Sequence, residues 1–442
     1  MKSSVKYLLS ALIALLLLSC SREVKPEPVV KPQPEPEEHR SYTIMFYGSG
    51  GGIDDCAEGL MDVVRIIPDI PENIKIVGQI KWNKGYKSQV SNGRGGVSRF
   101  MYNHRSNMVD YSEYAGPEFR IDEAENLAEF IEWARETAPA EEYIMVFFGH
   151  GNGYHPSFDG VTRGTLRDNM YTTYLGVDAI RQAFEMADAK FVLTEFVSCY
   201  MNTLEYITEL EPYTDYYYGS NHALPATNAE IYLLVNGLML NYEQEDAVLM
   251  AGEYALKEYG DMVYPYIDDY SYDISITRSS SIAALNGEIR NFVDIVVQLY
   301  DEEAEIGAEA MQQKYNFTTK DIDEALGGSY YFNERMTSSA EEWYRCTYTH
   351  DIVSIVNMVA ERTNHPQLML CAREVKLAAQ EAQVCQSLCH SDEVYYGLAL
   401  VNGEEWAELG FDDANYEALA FDRATGWSRL LKRNSAVYTR HK

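Results

Sequence analysis

The chain has 442 residues and a formal net charge of −32, from 36 Lys and Arg against 68 Asp and Glu. A chain this acidic lacks the basic surface that nucleic-acid binding requires, so we expect no nucleic-acid partner. With 46% hydrophobic and 24% charged residues, most of the chain has the composition of a folded globular protein, which excludes general disorder.

Residues 1–20 have the pattern of an export signal. Lys2 and Lys6 precede an almost purely apolar run, Leu8 to Leu18, which is short for a membrane-spanning helix. The run ends in Leu-Leu-Ser-Cys, which resembles a bacterial lipobox in which Cys20 becomes the lipidated first residue. The alternative is a plain signal peptide with an incidental cysteine. We predict a lipoprotein of the bacterial cell envelope, anchored through Cys20 to the outer membrane or cell surface.

Residues 21–40 are predicted to form a Pro-rich linker. Alternating Pro and charged residues favour an extended polyproline II conformation and prevent a packed core. Of the 7 cysteines, those beyond Cys20 are too sparse for a disulfide scaffold, and we predict no metal site. We expect the globular part to be a monomer.

From residue 41 onward, short apolar runs alternate with amphipathic helical patterns. The predicted strands of this part are Tyr42–Tyr47, Ile74–Ile80, Tyr143–Phe148 and Phe191–Val197. The predicted helices are Asp54–Ile67, Ile121–Ala134, Val177–Ala187 and Met201–Leu210. Continuous apolar strands separated by helices are typical of a parallel sheet covered on both faces. We predict an α/β domain over residues 41–260, and a helix-rich region over residues 261–442.

Two side chains that could take part in nucleophilic catalysis follow neighbouring strands of this sheet. His150 comes after YIMVFF and Cys199 after FVLTEFV, and functional sites in parallel sheets lie beyond the carboxyl ends of strands. A thiol is a good nucleophile only as the thiolate, and a nearby imidazole can accept its proton. The helical pattern directly after Cys199 would favour the thiolate further.

The glycines around His150 favour a tight turn, and Gly151 lacks a side chain, so its N–H can approach a substrate carbonyl. Together with the N–H of Cys199 it could form an oxyanion hole. His155 and His222 are alternative bases, and we favour His150 because the strand fixes its backbone. Each residue also has a structural interpretation, since free cysteines are often core residues and the histidine could be only a turn residue.

Four segments resemble the clostripain family of cysteine peptidases, which share a caspase-like fold: YTIMFYGSGGGIDD, FFGHGNGY, FVLTEFVSCYMNTLEY, and YYGLALV followed by YEALAFDRATGWSRLL. The resemblance implies a caspase-like sheet to which the C-terminal region returns a strand. It implies Cys199 as nucleophile and His150 as general base, cleaving peptide or protein substrates through a thioester acyl-enzyme. No cofactor is required on this reading, and calcium is implied by the resemblance alone.

The chain departs from the family at the substrate pocket. Val197 stands where the family has Asp, and Gly219-Ser220-Asn221-His222 where it has Ala-Ser-Glu-Glu. The resemblance places Val197, Ser220, Asn221 and His222 in the region that shapes specificity. Because binding a buried Arg or Lys requires paired negative charge, we expect a weakened or absent preference for basic residues. The candidates for a substitute charge are Glu195, which could instead face a covering helix, and Asp54 and Asp55.

Two further interpretations follow. Some family members cut themselves between the His and the Cys, and Arg163 and Arg167 are candidate sites for such cleavage.

The alternative function is a catalytically inactive clostripain-like lipoprotein that binds peptide or glycan through exposed aromatic side chains, since the chain contains 35 Tyr.

Overall fold

The structure is a computed structural model in which residues Arg40–Lys442 form one compact unit. It describes residues 40–50, 69–85, 87, 93–151, 153–154, 164–168, 170–221, 224, 229–263, 272–327, 349–389, 397–401 and 413–433. The predicted signal peptide, the linker before Arg40 and the predicted helix Asp54–Ile67 lie outside the described residues.

The described strands are β1 (Tyr42–Gly50), β2 (Ile74–Trp82), β3 (Gly96–Asn103), β4 (Met108–Ala115), β5 (Glu142–Phe148), β6 (Thr165–Asp168), β7 (Thr173–Leu175), β8 (Phe191–Val197), β9 (Thr214–Ser220), β10 (Tyr272–Arg278), β11 (Thr349–Asp351), β12 (Gln383–Cys389) and β13 (Ala399–Val401). A nine-stranded sheet forms the centre of the fold, in the order β12-β10-β9-β8-β5-β1-β2-β3-β4. Strands β2, β1, β5, β8 and β9 run parallel, and the strands at both rims run antiparallel to their neighbours.

Helices cover both faces of the sheet, so the predicted α/β class with a mostly parallel core sheet is confirmed. The helices are α1 (Ala124–Thr137), α2 (Val177–Met186), α3 (Leu204–Leu210), α4 (Ala229–Asn241), α5 (Ala247–Val263), α6 (Ile282–Ile306), α7 (Ala308–Tyr315), α8 (Thr319–Gly327), α9 (Ile352–Thr363), α10 (Pro366–Ala382), α11 (Asp413–Glu417) and α12 (Ala420–Thr425). None of these described helices combines the length and apolar character that crossing a membrane requires.

Alternate residues of the central strands point into two separate cores. Met45 and Tyr47 pack with α1, α2, α3, α6, α9 and α10 on one face, whereas Ile44 and Phe46 pack with α4 and α5 on the other. Because side chains alternate across a strand, a strand buried on both faces is mainly apolar along its whole length. This is why β1, β5 and β8 read as continuous apolar runs.

The C-terminal region contributes two strands to the same sheet, β10 and β12, which pair antiparallel with each other beyond β9. The region 261–442 is predicted to be helix-rich, but α10 ends at Ala382 and the chain continues as the strand β12, Gln383–Cys389. The strand forms because the free edge of β10 offers unpaired backbone groups, which local residue preference cannot reveal.

Candidate active site

The two predicted strand ends lie side by side at one edge of the sheet. In the parallel pair β5–β8, Phe148 is the register partner of Val197, and the N–H of Gly149 donates to the Val197 carbonyl at 3.3 Å. His150 and Cys199 each follow two residues after these partners. The register therefore delivers the imidazole-bearing loop and the thiol-bearing loop to the same carboxyl edge.

Gly151 is packed directly against the cysteine loop. A Cβ at this position would lie 2.6 Å from the Cys199 carbonyl oxygen, 2.7 Å from Cβ of Ser198 and 3.2 Å from the Cys199 nitrogen. Such separations are below van der Waals contact, so only glycine allows the two backbones to approach this closely. The two segments predicted to supply the oxyanion hole are therefore in contact.

The Cys199 side chain is half-buried. The backbone N–H of Leu224 donates to Sγ of Cys199 at 3.3 Å, and Sγ lies 4.0 Å from the Leu224 carbonyl oxygen. His150 is exposed. The alternative bases His155 and His222 lie outside the described residues.

The prediction that a helix follows Cys199 directly is wrong. Tyr200 adopts a left-handed conformation with φ +60°, and α3 begins only at Leu204, after Thr203. Asn202 lies outside the helix, and its N–H donates to the Ser220 carbonyl while its carbonyl accepts from the N–H of Ala399. The seven-residue helix therefore begins five residues after Cys199.

The predicted pocket residues that the structure describes are all buried. Val197 packs in the apolar core beneath α4 and α5, and Ser220 and Asn221 are at most 1% exposed. His222 lies outside the described residues, as do the loop acids Asp54 and Asp55. The described part of this edge therefore presents none of the three side chains openly to a ligand.

Glu195 faces the covering helix α4, where it lies close enough to Glu230 for their charges to interact. Both side chains are fully buried, and neither oxygen of Glu195 accepts a hydrogen bond from a described residue. Burial and the nearby Glu230 carboxyl raise the pKa of Glu195 well above its usual range, and burial raises the pKa of Glu230 to about 7. Burial therefore favours the neutral form of Glu195, the predicted candidate for a substitute charge.

Replacing Glu230 with Gln should stabilise the protein at alkaline pH. A carboxyl with a folded-state pKa of about 7 and an ordinary unfolded value holds a proton that unfolding releases, so its contribution to stability is complete below pH ~4.5 and is lost as pH rises through 7. We expect Glu230→Gln to raise the free energy of unfolding at pH 8 by on the order of 2 kcal/mol and to change it little at pH 4.

Chemical denaturation across pH 4–8 measures this effect, with Glu136→Gln, an exposed position on α1, as the charge-matched control. A stability profile that keeps its slope between pH 5 and 8 in the Glu230→Gln variant would contradict the assignment.

The β6–β7 hairpin supports this edge through buried polar contacts that the sequence did not reveal. Thr165 and Ser198 share a buried hydroxyl–hydroxyl hydrogen bond of 2.8 Å, and Oγ of Ser49 donates to the Arg167 carbonyl at 3.0 Å. The candidate cleavage residue Arg167 thus lies in a paired strand, whereas Arg163 lies outside the described residues. The hairpin therefore connects β1 to the loop that carries Cys199 and supports both of them.

Comparison with known proteins places this geometry in a family. A model described as the clostripain family matches residues 93–422. The fold is similar to the X-ray structure of an inactive zymogen C11 protease from Parabacteroides distasonis, with a TM-score of 0.59 and 13% identity over 87% of this chain and 98% of that chain. A secreted C11 cysteine protease from Bacteroides thetaiotaomicron, iotapain, gives a TM-score of 0.59 and 14% identity over 88% and 99%. No curated protein shows significant sequence similarity.

Proposed function

The chain belongs to the clostripain family of cysteine peptidases, and we propose that it is a cysteine endopeptidase in which Cys199 is the nucleophile and His150 the general base. The observation that carries the proposal is the fit of Gly151 against Cys199 and Ser198. That contact brings together the loops that follow two adjacent parallel strands, and these loops carry the thiol, the imidazole and the proposed backbone donors.

The proposed chemistry has two stages. His150 takes the thiol proton, and the Cys199 sulfur attacks the scissile carbonyl carbon while the N–H groups of Gly151 and Cys199 stabilise the oxyanion. The peptide C–N bond then breaks, and the leaving amine takes the proton from His150. Water, deprotonated by His150, next hydrolyses the thioester, which releases the acid product and restores the thiol.

A peptidyl acyloxymethyl ketone tests the assignment, because this probe alkylates an activated thiolate. We expect mass spectrometry to locate the label on Cys199 and not on Cys371 or Cys385, which are free thiols in the same protein and act as internal controls. Cys199→Ala should abolish both labelling and cleavage of a peptide library. Undiminished cleavage by that variant would eliminate the proposal.

The same library tests substrate preference. Val197 is an apolar core residue, and the buried carboxyl of Glu195 favours its neutral form. We therefore propose that the enzyme lacks the strong preference for Arg or Lys that a charged pocket would confer.

A binding protein without catalysis is the second candidate, because the Leu224 backbone contacts the thiol and the described pocket side chains are buried. It predicts no labelling at Cys199, and binding to peptide or glycan that Cys199→Ala retains.

Either function is proposed to act at the cell envelope through a lipid on Cys20. Detergent-phase partitioning of the full-length protein and of its Cys20→Ala variant would test this proposal.

A further inference from the structure

The backbone that follows the nucleophile is held by one buried side chain, Asn202. Its Nδ2 donates to Oγ of Ser275 on β10 at 2.8 Å and also to the Gly397 carbonyl. A carbonyl can only accept, so the amide nitrogen must face Gly397, which fixes the orientation of the side chain. Asn202 is fully buried, and it lies three residues beyond Cys199.

The main chain of Asn202 is held as well. Its N–H donates to the Ser220 carbonyl at 3.0 Å, and its carbonyl accepts from the N–H of Ala399 at 3.4 Å. Side chain and backbone together connect the cysteine loop to the end of β9, to β10 and to the segment 397–401. These three segments are distant from Cys199 in the sequence, so Asn202 is the point where they meet the nucleophile loop.

The C-terminal segment is anchored a second time by Glu205, three residues after Asn202 in the chain. Oε1 of Glu205 on α3 accepts from the N–H of Val401 at 3.0 Å and from the hydroxyl of Tyr416 at 2.9 Å. The indole of Trp427 donates to the Val401 carbonyl at 3.0 Å. The segment 397–401 is therefore bonded to α3 and to Trp427 as well as to Asn202.

We infer that Asn202 is a positioning residue for Cys199, an inference that rests on the proposed peptidase activity. Tyr200 has a positive φ directly after the nucleophile, and Asn202 ends that turn by bonding to acceptors on β10 and in the segment 397–401. The thiol and the Cys199 N–H are thereby held in place at the carboxyl edge of the sheet. A displacement of the reacting groups by about 1 Å can reduce the rate on the order of 100-fold. The hydrogen bonds of Asn202, which we call the clamp, therefore act on turnover rather than on substrate affinity.

The test replaces Asn202 with Ala and with Asp. Asn202→Ala removes both N–H donors of the side-chain amide. Asn202→Asp keeps the shape of the side chain but places an oxygen next to the Gly397 carbonyl oxygen, where no hydrogen bond can form between them. We expect kcat to fall about 10- to 100-fold in both variants while KM stays within about twofold. The alkylation rate of Cys199 by the acyloxymethyl ketone should fall in parallel, but the fraction labelled at saturation should equal that of the wild type.

Asn286→Ala is the matched control. Asn286 is also a buried asparagine, and its amide donates to Oγ1 of Thr208 at 3.1 Å, at the far end of α3. We expect this variant to lose stability and keep kcat. If Asn202→Ala does not fold, Ser275→Ala removes one acceptor and should lower kcat about threefold to tenfold at unchanged KM.

A reduced labelled fraction with an unchanged rate per labelled site would overturn the inference, as would an equal loss of kcat in Asn286→Ala. Hydrogen–deuterium exchange provides a readout independent of catalysis. The amides of residues 199–203 should exchange faster in Asn202→Ala than in wild type or Asn286→Ala, and unchanged exchange there would refute the clamp. A wild-type protein that neither cleaves peptide nor labels would instead refute the proposed function, while the exchange measurement still decides the role of Asn202.

Discussion

Gly151→Ala is expected to reduce peptide hydrolysis by at least about 100-fold. The added methyl group would lie 2.6 Å from the Cys199 carbonyl oxygen and 2.7 Å from Cβ of Ser198, neither of which is the end of a flexible side chain. One of the two loops must therefore shift. Either shift separates the thiol, the imidazole and the proposed oxyanion donors, on whose mutual placement the rate depends.

Initial rates on a peptide substrate, together with the labelling rate of Cys199, measure the effect. Gly287→Ala is the control, because a Cβ at this exposed position of α6 meets nothing within 4 Å and alanine favours a helix interior over glycine. We expect that control to keep full activity with unchanged or slightly higher stability. Wild-type turnover in Gly151→Ala would show that the contact between the loops is irrelevant to catalysis.

The placement of the two loops was predictable because it depends on a local signal. Apolar runs such as Tyr143–Phe148 and Phe191–Val197 are continuous only when a strand is buried on both faces, and that burial implies parallel neighbours with their carboxyl ends at one edge. His150 and Cys199 then fall at that edge by counting residues. The resemblance to the family indicated which reaction these residues would catalyse. The register of β5 and β8 explains why the loops that carry them lie side by side.

The supports of the site were not predictable in this way, because they depend on contacts between distant residues. Asn202 and Gly397 are 195 positions apart, and no periodic pattern links them. The same contacts delay the start of α3 to Leu204, since a residue bonded to β9 and to Ala399 cannot also be helical. Glu195 illustrates a different limit: alternation along β8 left its direction open, and only the packing of α4 identified Glu230 as its neighbour.

A buried ion pair holds the hairpin that braces the site, and it gives the second large expected effect. Nζ of Lys81, at the end of β2, lies 2.6 Å from Oδ2 of Asp168 and donates to the Phe119 carbonyl at 2.6 Å. Oδ1 of Asp168 accepts from the N–H of Met170 at 3.0 Å. Lys81 is 5% exposed and Asp168 is 1% exposed, so solvent screens neither charge and removal of one leaves the other uncompensated.

Lys81→Met should therefore lower the free energy of unfolding by about 3–5 kcal/mol, whereas Lys81→Met combined with Asp168→Asn should recover most of the loss. The asparagine can still accept from Met170 but carries no charge, so the double variant removes the isolated carboxylate that makes the single variant costly. Urea denaturation of the wild type and the variants at pH 7 measures the difference.

Lys320→Met, which removes the exposed partner of Glu324 on α8, should change stability far less, because exposed ion pairs contribute little. Equal losses in the Lys81 single and double variants would mean that the packing of the lysine stem, and not the charge on Asp168, holds the hairpin against β1.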